Sequence, residues 1–123
     1  MNAQFKAQRA YASAAAPTRT PRGTEYEAVA RITHRMKTAE AQGPKGFPAL
    51  AAALVDNKKM WNIFAIDVAD KANPLPADLK ARLFYLAEFT HHHTTKVLSR
   101  EASVAPLIEV NTAILRGLRN EVA

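Results

Sequence analysis

"FPALAAALVDNKKMWNIFAIDVADK", residues 47–71, decides the fold of this chain. Leu50, Leu54, Trp61, Phe64 and Val68 recur at intervals of three, four and seven. That spacing lines up side chains on one face of an α-helix. Pro48 suits the first turn, where its missing N–H has no partner to lose. The run predicts a helix over 48–71, ended by "ANPLP" at 72–76.

The same period extends in both directions. Upstream, Thr24 with Glu27 three residues on reads as a capping box. Tyr26, Val29, Ile32 and Met36 follow at helical spacing, and Gly43-Pro44 closes a helix over 24–42. Downstream, a helix from Pro76 to Leu98 carries Leu79, Leu83, Leu86, His93 and Val97 on its stripe. "SREAS" makes a turn, and Ser103 caps a fourth helix, 103–121, bearing Val104, Leu107, Asn111, Ile114, Leu118 and Val122. No stretch alternates with period two, so strands are not expected. The expected fold is all-α: a small antiparallel bundle of about four helices over 24–123, preceded by an N-terminal arm, 1–23. Residues 1–16 read as a weak helix with Phe5 and Tyr11 on it, marginal unless docked.

At 123 residues with 48% apolar content, the chain fits one globular domain. It has no cysteine, which excludes disulfide scaffolds, thiol nucleophiles and zinc–cysteine sites. No segment approaches the roughly 18 apolar residues of a membrane span. "AYASAAA", after Lys6 and Arg9, is too short and alanine-rich for a secretory core. A cytoplasmic protein is expected. Of the formal net charge of +6, four charges sit on the arm as Lys6, Arg9, Arg19 and Arg22, with no acid among them. The body is a mixed-charge surface, as in ordinary soluble helical domains.

"HHH", residues 91–93, raises the question of a metal site. Successive helical residues point about 100° apart, so the three imidazoles diverge. The i+4 partners are Thr95, Lys96 and Val97, none of them a ligand for zinc. The pattern favours a core-edge His93 and two solvated neighbours. No glycine-rich phosphate loop, nucleophile elbow or dinucleotide fingerprint occurs. No catalytic residue, metal or cofactor is expected, and the chain reads as a binding protein rather than an enzyme.

Asn57 and Asn111 fall on apolar stripes. Either they fix register inside the bundle, as buried asparagines do, or they face a groove and hydrogen-bond a partner. Trp61 and Phe64 are core aromatics or groove linings. Asp67, one turn on, is a rim charge or a partner for a lysine or arginine. Arg116 and Arg119, in "ILRGLR", form a solvated face or a grip on an acidic partner or phosphate.

Residues 56–118 as a whole resemble the FlaF family of bacterial flagellar biosynthesis regulators. The resemblance lies in an extended order of residues. Asn57, Trp61, Phe64 and Asp67 come first, then Asn73, Leu75 and Pro76 at the turn. Leu79, Leu83, Leu86, Phe89 and His93 follow, then Val97-Leu98, Leu107, Asn111, Gly117 and Leu118. Upstream, Pro21, Arg22, Glu25 and Tyr26 are similar to the family's Pro-Arg-x-x-Glu-Tyr region. His93 occupies the family's single histidine place, a turn before the Val-Leu pair. Met60, Thr90 and Arg100 depart from the pattern, standing where leucine, an aliphatic residue and glycine are common. Arginine at position 100 speaks against a left-handed helix stop there.

The resemblance implies a non-enzymatic role: a cytoplasmic flagellin-binding secretion chaperone that promotes flagellin synthesis and export, acting with or against FlbT. The implied partners are the terminal amphipathic helices of flagellin, with FlbT a second. The candidate partner-binding residues are Asn57, Trp61, Phe64, Asp67, Asn111, Leu115 and Arg116, with the second and fourth helices as groove walls. The rival reading is an RNA-binding post-transcriptional regulator of flagellin messenger RNA, suggested by the basic arm. The body lacks an RNA-reading signature, so nucleic acid is not the expected partner.

Overall fold

The computed structural model describes residues 21–122, with side chains from 25 to 117. The arm, with its expected helix over 1–16, lies outside the described residues. So do the side chains of Thr24, Leu118, Arg119 and Val122. Among the described residues there is no strand. Four helices follow one another: α1 Pro21–Ala41, α2 Phe47–Ala69, α3 Ala77–Leu98 and α4 Ala105–Val122, with a 3-10 turn, Gly43–Gly46, between the first two. α1 packs along α2 and α4, and α2 packs along α3; α3 touches α4 only lightly. The chain runs up, down, up, down, and the α3–α4 seam is the loosest.

Helix ends follow local chemistry, with three departures from expectation. α1 begins at Pro21, three residues early, which puts Thr24 inside the helix rather than at its cap. Proline's fixed φ already suits the first helical position. α1 ends as expected: Gly43, in the left-handed region at φ +65°, turns the chain into Pro44. The α2–α3 turn is held by Asn73. Its side-chain Nδ2 donates to the Asp67 carbonyl at 3.1 Å, and its Oδ1 accepts from the Leu75 N–H at 3.0 Å. One of the orphan carbonyls of the α2 terminus is thereby satisfied. Ser103 accepts the Ala105 N–H at 2.9 Å, the expected cap-like bond, although regular α4 starts only at Ala105.

The second departure is at the end of α3. Arg100 adopts φ +63°, so the left-handed stop forms without glycine. The Glu101 N–H reaches the Lys96 carbonyl at 2.8 Å and the Arg100 N–H reaches Val97 at 3.0 Å, a complete Schellman pair. The guanidinium lies over the Phe47 ring, 4.3 Å from its centroid. Two backbone bonds and a cation–π contact offset the roughly 1–2 kcal/mol that a left-handed L-residue costs.

The third departure concerns the α3 stripe. Its fully buried residues are Ala87, Thr90, Thr94 and Val97. Leu83, Leu86 and His93 are half-buried, and Leu79 is 36% exposed. Small side chains bring α3 close to α2 along the middle and one end of the bundle, and the larger leucines beyond them lack full cover.

The core holds most of the other expected residues and adds Met60 and Ile63, while Tyr26, Leu50 and Phe64 are half-buried at its edge. Val29, Ile32 and Met36 of α1, Leu54, Met60, Trp61 and Ile63 of α2, and Val104 and Leu107 at the head of α4 are buried. Phe64 meets Trp61 edge-on, ring centroids 5.4 Å apart. An Arg35–Asp56 ion pair at 2.8 Å joins α1 to α2. Both partners are more than a third exposed, so the pair adds at most about 1 kcal/mol.

Trp61→Ala is expected to cost roughly 3–5 kcal/mol of unfolding free energy by denaturant titration. Gly46 is buried where a Cβ would collide with the Ala39 carbonyl. Gly46→Ala is therefore expected to destabilise by about 1–3 kcal/mol, because backbone, unlike a side-chain tip, cannot swing aside.

Candidate functional site

Three of the seven candidate binding residues, Asn57, Trp61 and Asn111, have no more than 1% of their surface exposed. The structure gathers them around one amide. Asn111 Oδ1 accepts the Trp61 indole N–H at 2.9 Å. Asn111 Nδ2 donates to Asn57 Oδ1 at 2.8 Å and to Thr33 Oγ1 at 3.1 Å. The Thr33 hydroxyl passes its own proton to the Val29 carbonyl at 2.6 Å. Both protons of the Asn111 amide are used inside the bundle. Asn111 thereby fixes the register of three helices, the first of the two roles open to it in the sequence. The physical reason is the indole, a single strong donor that must find an acceptor once buried.

Thr33 and Thr90 were missed from the sequence. With Asn57 and Asn111 they supply a buried polar residue from each of the four helices. The signal was present: Thr33 falls four after Val29 and three before Met36, and Thr90 stands four before Thr94 and seven before Val97. Threonine is usually read as a surface residue, and that hid it. Two polar atoms in this layer, Asn57 Nδ2 and Thr90 Oγ1, have no hydrogen-bond partner.

The other four candidates keep some surface. Phe64, Asp67 and Leu115 are half-buried and Arg116 is exposed. Phe64 and Leu115 pack against the edge of the core.

The histidines separate as their spacing implies. His91 and His92 are exposed, while His93 is half-buried. The His93 ring stacks on Phe89 at 5.3 Å, and its Nε2 donates to the Ser103 carbonyl at 2.8 Å. A carbonyl can only accept, so that nitrogen carries the proton. His93 thus ties α3 to the start of α4. Among the described residues no three histidine, aspartate or glutamate side chains converge as a ligand set. No helix there is long and apolar enough to cross a membrane.

Asn111→Leu would strand the indole N–H and the Asn57 amide, so a loss of about 3 kcal/mol or more is expected in thermal or denaturant unfolding. Thr90→Val removes a hydroxyl with no partner and is expected to leave stability unchanged or raise it by up to about 1 kcal/mol. Stoichiometric zinc is expected to leave the melting temperature unmoved.

No curated protein sequence and no solved structure matches this chain. A family model described as flagellar protein FlaF matches residues 7–118. That range takes in the Asn73 turn, the Asn111 hub and the His93 strut, and by this match the chain belongs to the FlaF family of flagellar proteins.

Proposed function

We propose that this protein binds flagellin before export, as a non-enzymatic cytoplasmic chaperone, and acts in one regulatory circuit with FlbT. Membership of a flagellar protein family supports the setting. The observation that carries the binding role is the α3 stripe. Leu79, Leu83 and Leu86 stand at helical intervals from Thr90, Thr94 and Val97, on the same face. The latter three are buried; the leucines are exposed or half-buried. A core-facing apolar stripe thus runs out of cover on the helix that packs only lightly against α4.

An amphipathic helix fits such a stripe. It would lay its own apolar face on the leucines, as in helix-in-groove recognition. Half-buried Phe64 and Leu115 lie on the adjoining helices, and Asp67 and Arg116 offer charges at the rim. This site keeps four of the seven candidate residues but makes α3 its main wall. Flagellin's terminal helices, apolar on the face they bury in the filament, have the matching chemistry.

The test is binding of purified monomeric flagellin by calorimetry. Leu79 is already exposed, so Leu79→Asp is expected to leave folding intact. Affinity should fall at least about tenfold, the equivalent of losing one buried leucine. Binding should survive raised salt, whereas capture of RNA would weaken steeply through counterion release. Unchanged flagellin affinity in Leu79→Asp, or no binding by the parent protein, would overturn the reading.

A further inference from the structure

At the opposite end of the bundle the two tight connections face each other across an open cleft of about 420 Å³. Its walls include Phe47, Leu50, Val97 and Val104, and its lips carry Arg100 and Glu40. The volume lies within the range of ordinary ligand sites. Arg100 is the unusual feature. It occupies a left-handed position that glycine would fill without strain. Its side chain is held over Phe47 at the mouth of the cleft. No ion pair or side-chain hydrogen bond engages its guanidinium among the described residues, and Glu40 on the other lip is not within ion-pair reach.

Strained positions that persist are a reason to look for a role of the side chain they present. Here that side chain is a fixed cation with its N–H donors unspent, beside an apolar hollow. We infer that this cleft is a second docking site, taking one apolar side chain of a partner polypeptide with an adjoining carboxylate held by Arg100. The apolar side chain would enter between Leu50, Val97 and Val104. The carboxylate would meet the guanidinium in the paired geometry that arginine favours. A polypeptide suits the cleft better than a free small molecule, because one side stays open and a small ligand would bury only part of its surface. Glu40 faces the remaining side of the cleft and disfavours a partner with a second acid there.

This site is separate from the α3 stripe and does not depend on flagellin being the ligand there. The probe is the capped dipeptide acetyl-leucyl-glutamyl-amide, titrated into the full-length protein and followed by amide chemical shifts. Shifts are expected in residues 43–50 and 97–104. Acetyl-leucyl-glutaminyl-amide, which lacks only the charge, should bind severalfold more weakly, as should acetyl-alanyl-glutamyl-amide. Arg100→Gly is the decisive variant. Glycine is at ease in the left-handed position, so the melting temperature should hold while the preference for glutamyl over glutaminyl disappears. Equal binding of the charged and neutral peptides, a preference that survives in Arg100→Gly, or shifts elsewhere or nowhere would each overturn the inference.

Discussion

The bundle depends on one hydrogen bond from the indole of Trp61 to the side-chain carbonyl of Asn111. A tryptophan this deeply buried brings a large apolar surface and one polar N–H that cannot be left alone. Asn111 answers it from a helix that shares little other packing with α2, then uses its two amide protons on Asn57 and Thr33. A slip of α4 by one residue would rotate the amide about 100° away and strand all of these groups together. Apolar contacts alone tolerate such slips, because leucine and valine surfaces do not specify one partner.

The rest of the molecule divides into two unlike ends around that layer. At one end the chain turns sharply twice, through the left-handed Gly43 and the left-handed Arg100, and His93 braces α3 against Ser103. Met36, Leu54 and Leu107 are buried there, beneath the cleft that Val97 and Val104 help to line. At the other end the helices carry the same apolar pattern but bury it less. Leu79, Leu83, Leu86 and Phe64 remain partly open. The braced end resists unfolding, and the end with the leucine stripe has apolar surface to offer a partner helix.

The residues that look most like a site in the sequence are not all where a partner could touch them. "WNIF" and the two asparagines carry conspicuous chemistry, yet Trp61, Asn57 and Asn111 spend it on one another. The triple histidine is conspicuous too, and among the described residues only His93 hydrogen-bonds another segment. By contrast, Leu79, Leu83 and Leu86 look like ordinary core and are left exposed or half-buried.

Much was legible in the sequence because helices are local. The 3.6-residue period of Leu50, Leu54, Trp61 and Val68, Pro48 in the first turn and Gly43-Pro44 after α1 act over one or two turns and depend little on the rest of the chain. They determined four helices, their order, their short connections and most of the core. Which face of α3 is covered, and for how far, was decided only by tertiary packing. Thr90 and Leu83 lie on the same helical face, and only the presence or absence of a neighbouring helix separates buried from open. The role of Asn111 was also decided there, since an amide on an apolar stripe serves register or recognition equally well until its partners are in place. The left-handed Arg100 was beyond local preference as well: its strain is offset by the Phe47 ring, more than fifty residues earlier in the chain, and sequence spacing carries no sign of a contact that only folding creates.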